Sequence, residues 1–189
     1  MVVACEMTDM VPRRKPAFPN LWVTTVDQAD GNLQAAFEKL KKRRKQLRPY
    51  LVKPLSLSLI GSFESPTEAK AEAKALKYDL ARRGYTVNPD PKATFSIYVV
   101  HLDPEMLKRP GEKCVYVGET AVNVEKRLAQ HREGKRLAAR VSKAFLERAI
   151  ELEPKCLSIF SRYDSVATEV EWKEHLESLG YLVWGGTAR

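Results

Sequence analysis

Between Leu33 and Leu47 apolar side chains recur at helical spacing, with Leu33, Ala36, Phe37, Leu40 and Leu47 on one stripe. The spacing predicts a helix over about 33–48, stopped by Pro49. Before it, residues 1–32 keep no sustained period. Pro12, Pro16 and Pro19 mark irregular chain there, with one short strand at 21–25. After it, LSLSLIGSF at 55–63 reads as a strand. A second helix opens at Ser65-Pro66-Thr67 and runs to Arg83, with proline at its first position and Gly84 past its end. A strand at 85–88 leads into Asn-Pro-Asp-Pro at 88–91, a loop that divides the chain into 1–91 and 92–189.

Strands and helices alternate in the C-terminal part. Strands are predicted at 95–101 and 114–118, separated by the charged, proline-rich loop DPEMLKRPGEK. Helices follow at 124–133, ended by Gly134, and at 137–151. A strand at 156–160, a helix at 166–179, Gly180 and a closing strand at 181–184 complete the pattern. One internal echo stands out: LSLIGSFES at 57–65 resembles LSIFSRYDS at 157–165. Both run through a helix into Gly-Tyr-x-Val, at Gly84–Val87 and Gly180–Val183. Strand–helix–Gly–strand units resemble one another by construction, which is the plainer account; a duplicated unit is the other.

The 189 residues carry 32 Lys and Arg against 24 Asp and Glu, a formal charge of +8. That excess favours a polyanionic partner, nucleic acid before a membrane surface. No apolar run nears the ~20 residues of a membrane span. Cys5, Cys114 and Cys156 form no C-x-x-C pair or Cys/His cluster, so neither a disulfide framework nor a zinc site is supported. Without a basic-then-apolar leader, a cytoplasmic location with reduced thiols is expected. The densest charge lies in KLKKRRKQLR, seven Lys or Arg between Lys39 and Arg48 with no acid. Lys41, Lys42, Arg43, Arg44 and Lys45 are candidate phosphate contacts, a solvated basic face being the alternative. Lys108 and Arg109 in the loop, and Lys135, Arg136 and Arg140 after the 124–133 helix, are further candidates.

The chemistry-bearing residues gather in the same half. Tyr98 shares a strand face with Ser96 and Val100, and Tyr116 with Cys114 and Gly118, so a hairpin brings the two tyrosines together. Arg127 and His131 lie four apart on one helix face. Glu169 falls on the stripe of Trp172, Leu176 and Leu179, where a carboxylate needs an ion pair, for instance with Arg127, or a metal.

Ser-Ile-Tyr at 96–98, Tyr-Val-Gly at 116–118, Arg127-Leu-Ala-Gln-His131 and a helical Glu169 three before Trp172 resemble, in this order, the motifs of the GIY-YIG nucleases over about residues 95–184. The resemblance implies an α+β fold, a small central mixed or antiparallel sheet flanked by helices. Residues 1–91 would add an N-terminal helical and βα extension that supports DNA binding. It further implies a DNA endonuclease of restriction-like, mobile-element or defence type that uses one divalent ion, Mg²⁺ or Mn²⁺, on double-stranded DNA, with a homodimer as one route to cutting both strands. On it, Glu169 would ligate the ion and Arg127 would hold a phosphate oxygen. Tyr98 would take the proton of the attacking water, Tyr116 would orient Tyr98 or that water, and His131 would assist by proton transfer or a phosphate contact. Two positions depart from the pattern: Ser96 stands at the first glycine, and the asparagine of the family's C-terminal end has no counterpart in LVWGGTAR. The other reading is a nucleic-acid-binding module that keeps the fold without catalysis.

Overall fold

The structure, a computed structural model, describes residues 2–8, 11, 14–15, 17–26, 32–55, 63–134, 139–155 and 158–185, without the side chains of 139 and 140. The chain divides into two units. The first comprises Met1–Lys92 with Phe160–Asp164, the second Ala93–Ile159 with Ser165–Arg189. The fold is α+β, with a small mixed sheet and flanking helices in each unit.

In the first unit β1 (Val2–Met7) and β2 (Asn20–Thr25) pair antiparallel, with Val3 opposite Thr24 and Cys5 opposite Trp22. β3 (Leu51–Leu55) joins β1 antiparallel and β4 (Thr86–Val87) joins β2 in parallel, giving the order β3-β1-β2-β4. The expectation that 1–32 is irregular apart from 21–25 is corrected here by β1. Five of its six residues are buried, because a central strand covered on both faces shows no alternation of apolar and polar positions. α1 (Leu33–Arg43) starts where the Asn32 side chain accepts the Ala35 amide, and it buries Ala36, Phe37 and Leu40 against Val3, Cys5 and Met7. It ends five residues short of the expected Arg48. Cations a turn apart disfavour further turns, and Leu47 and Tyr50 return to the same core from a turn instead. α2 (Pro66–Arg83) has the expected bounds, with Ser65 capping Glu68 and Gly84 left-handed at φ 107°. It packs on β1, β2 and β4. Of the strand expected at 55–63, residues 56–62 lie outside the described residues.

In the second unit β5 (Ser96–Leu102) and β6 (Cys114–Thr120) pair antiparallel, β7 (Phe145–Arg148) joins β5 antiparallel, and β8 (Leu182–Gly185) joins β6 in parallel. The order is β7-β5-β6-β8, the same set of pairings as in the first sheet. The helix expected over 137–151 is corrected to α4 (Ala139–Lys143), β7 and a 3-10 turn at Ile150–Leu152. Tertiary pairing with the edge of β5 overrides a helix-compatible spacing there. Of the strand expected at 156–160, 156 and 157 lie outside the described residues, and Ile159 makes one bridge to Phe95. α3 (Val124–Arg132) covers one sheet face, where Tyr98 and Val100 meet Val124 and Leu128. α5 (Arg162–Ser178) supplies Leu176 and Trp172 to the other, against Ile97, Val99, Val115 and Val117. Leu179, expected on the buried stripe, follows the helix and is 56% exposed. The Arg148 guanidinium fixes β7 by two hydrogen bonds to Glu153, at 2.7 and 2.8 Å, and one of 2.8 Å to Glu125 on α3. Among the described residues no helix is long and apolar enough to cross a membrane.

Candidate active site

Strand alternation sends Tyr98 and Tyr116 to the α3 side of the second sheet, with Tyr98 opposite Gly118 and Val100 opposite Tyr116. Gly118 makes room for both rings. A Cβ there would lie 2.5 Å from the Tyr98 hydroxyl oxygen and 2.8 Å from the Tyr116 ring. The Asn123 side chain caps α3 at Lys126, and from that start the helix presents Arg127 and His131 one turn apart. His131 is buried, and its Nε2 lies 2.6 Å from the Tyr98 hydroxyl. With a neutral imidazole the phenol donates to Nε2 and Nδ1 carries the ring proton. The Tyr116 phenol lies close enough to Tyr98 for each to perturb the other's ionisation. Ring centroids of Tyr98 and Tyr116 lie 6.1 Å apart, those of Tyr116 and His131 5.7 Å.

Burial raises the Tyr98 phenol well above its ordinary range. The nearby Tyr116 and the charge of Glu169 push the same way, while Arg127 opposes them. Tyr116 is raised as well, by burial first and by Glu169 next. Neither ring ionises near neutral pH, and both respond to Arg127 and Glu169. Arg127 is half-buried. Its Nη1 donates to Gln130 Oε1 at 3.3 Å, and its Nε is buried without a hydrogen-bond partner among the described residues. A guanidinium holding a buried, unused donor suits an anion. Glu169 is half-buried on α5, and Glu119 on β6 accepts a hydrogen bond from Ser165 Oγ at 3.2 Å. Among the described residues no three His, Cys, Asp or Glu side chains cluster as a metal cage. One half-buried carboxylate still fits Mg²⁺, which keeps most of its waters and takes few protein oxygens.

The basic candidates divide. Lys41 is half-buried, with its ammonium 4.3 Å from the Phe37 ring centroid and 3.5 Å from Glu38. Lys42, Arg43, Arg44 and Lys45 are exposed. Lys108 and Arg109 are exposed on a turn anchored by the buried Leu107 and capped by Asp103. Lys135, Arg136 and the side chain of Arg140 lie outside the described residues. Phe145 escaped the sequence reading. Its ring sits 5.7 Å from Tyr116 and 5.6 Å from His131, from a strand whose spacing had read as helix. Gln130, beside Arg127, carried no signal beyond its place on the helix.

Comparison with curated proteins and with solved structures returned no match. Residues 106–181 match the family model of the GIY-YIG catalytic domain, a span that includes Tyr116, Arg127, His131 and Glu169 and begins after Tyr98. Over this span the C-terminal part of the chain is similar to the catalytic domain of the GIY-YIG family, a family of nucleases.

Proposed function

We propose that the second unit is a divalent-metal-dependent DNA endonuclease in which Tyr116, Tyr98 and His131 act as one proton-accepting chain. The observation that carries this reading is the buried 2.6 Å contact between the Tyr98 hydroxyl and His131 Nε2. Tyr98 is 1% exposed and its phenol resists ionisation, so it is poorly suited to act on water alone. Tyr116 is half-buried beside it and meets the water first. As the water's oxygen bonds to phosphorus, its proton passes to the Tyr116 oxygen, the Tyr116 proton to Tyr98, and the Tyr98 proton to Nε2. No phenolate forms, because the imidazole takes the charge, and imidazole is the side chain suited to accept a proton near neutral pH.

Arg127 holds a non-bridging phosphate oxygen with its planar fork and its unused Nε donor. Glu169 would hold Mg²⁺ or Mn²⁺, and the bound ion supplies charge stabilisation at the phosphoryl and leaving oxygens. Basic residues of both units, among them Lys42–Lys45, Lys108 and Arg109, contact the DNA backbone, consistent with the +8 charge. Residues 1–91 serve as the binding support, double-stranded DNA is the substrate, and a restriction-like cut of both strands calls for a homodimer or two sequential nicks.

The test incubates supercoiled plasmid, single-stranded DNA and RNA with wild type and Glu169→Ala, in Mg²⁺ and in EDTA. Cleavage of DNA by wild type alone, and only with metal, is the expected result. Cleavage in EDTA would remove the metal role. If neither protein cuts and both retard DNA in a gel, a binding module without catalysis replaces the nuclease.

A further inference from the structure

The two sheets share every pairing, and their registers and caps set up a residue-by-residue correspondence. Leu21 pairs with Val87 as Val115 pairs with Val183, each partner standing three residues after a helix-ending glycine, Gly84 or Gly180. Counting along the strands, Trp22 takes the place of Tyr116 and Thr24 that of Gly118. Val3, opposite Thr24, takes the place of Tyr98. Asn32 and Asn123 cap α1 and α3, so Ala36 stands for Arg127 and Leu40 for His131. The hydroxyls of Ser65 and Ser161 accept amides of the first turns of α2 and α5, so Ala73 stands for Glu169. Val3, Ala36, Leu40 and Ala73 are all buried, at 0%, 0%, 3% and 3% exposure. Where the second unit keeps its polar site, the first has hydrophobic core, without a nucleophile, base or metal ligand at any of the five positions.

One of those positions still opens outward. Trp22 lines a cleft of about 940 Å³ with Lys42, Arg44, Lys45, Tyr50 and Lys92, all within the first unit. None of those four cations makes an ion pair among the described residues. The acid in the lining, Asp90, uses Oδ1 to accept the Lys92 amide of its own loop. The Trp22 Nε1 donor is buried with no hydrogen-bond partner among the described residues, so what the residue offers the cleft is its half-buried ring. Several unpaired cations beside two half-buried aromatic rings form the surface that holds a nucleic-acid strand, phosphates on the cations and bases on the rings.

We infer that the first unit is a catalytically silent copy of the nuclease topology whose cleft beside the end of α1 binds a single nucleic-acid strand. The inference deepens the nuclease reading, and binding in EDTA separates it from cleavage. Anisotropy of a fluorescent 20-mer single-stranded DNA is measured against the full-length chain at several salt concentrations. Lys42→Gln/Arg44→Gln/Lys45→Gln should weaken binding at least 10-fold and reduce the slope of log affinity against log salt by about 2, three contacts at ~0.7 each. Trp22→Leu should weaken binding about 10-fold, with Trp22→Phe, which keeps a ring, restoring most of it. Far-UV circular dichroism and the melting temperature check that each variant is folded. Tight binding by wild type with unchanged affinity and slope in the triple variant overturns the cleft while leaving the nuclease reading intact. Absence of single-strand binding by wild type overturns the cleft as well, and cleavage of duplex in Mg²⁺ then judges the nuclease reading separately.

Discussion

Leu40 and His131 occupy the same turn of corresponding helices in two sheets of identical pairing, yet one is apolar core and the other a buried polar group. The difference lies in what faces them. Opposite Leu40 stand Val3 and Cys5, small apolar side chains that close the space. Opposite His131 stands Tyr98, whose hydroxyl needs a partner and finds it in Nε2. Thr24 is tolerated beside Val3, whereas the same strand position beside Tyr98 must be glycine. A polar site in this fold is thus a cooperative feature: ring, imidazole and glycine come together, and once one is lost the remaining polar groups are costly until apolar packing replaces them.

The largest effect expected from breaking this comparison is on catalysis. Tyr98→Phe keeps the ring packing and removes the link to His131, so the cleavage rate per folded molecule should fall 10²- to 10⁴-fold, while the unpaired Nε2 costs about 1–3 kcal/mol of stability. A rate within 10-fold of wild type would exclude the relay. In the first unit Leu40→Ala should instead cost about 2–5 kcal/mol of stability by leaving a cavity, with no loss of rate per folded molecule, as read by urea unfolding alongside cleavage assays. Gly118→Ala should cost about 1–3 kcal/mol and slow cleavage, since the added carbon displaces the Tyr98 hydroxyl. Thr24→Ala, at the corresponding place, should stay within about 1 kcal/mol, measured in the same unfolding series.

The smallest effect concerns the two capping sites. Glu68 and Asp164 stand three residues after Ser65 and Ser161, but Glu68 is exposed and Asp164 is 1% exposed. Burial lifts the Asp164 carboxyl from 3.8 to about 7, against opposing hydrogen bonds from the Val87 amide and Ser161 and the charge of Arg14. Between those values the folded chain retains a proton that the unfolded chain has released, so stability falls as pH rises from about 4 to about 7. Asp164→Asn should flatten that segment of the melting temperature against pH, and Glu68→Gln should leave it unchanged. A slope that survives Asp164→Asn would assign it to another group.

Much of the local structure was legible in the chain. The motif strands, the face shared by Arg127 and His131, and the bounds of α2 follow from alternation, helical spacing and capping residues, which act over a few neighbours. Even the echo between the halves was visible, although the caps align Ser65 with Ser161, four residues away from the match that the letters suggest.

What only the tertiary structure decided depends on partners distant in sequence. β1 looks irregular because both of its faces are covered, and Phe145–Arg148 becomes a strand because the edge of β5 is there to pair with it. The repeated sheet order appears only when hydrogen bonds across the chain are traced. The same holds for Tyr98: its letter predicts an ordinary phenol, and burial against α3, with the His131 imidazole 2.6 Å away, makes it a phenol that resists ionisation and is hydrogen-bonded inside the fold. Short-range rules select elements and caps; desolvation and pairing between remote segments decide which of two like units holds a buried polar cluster.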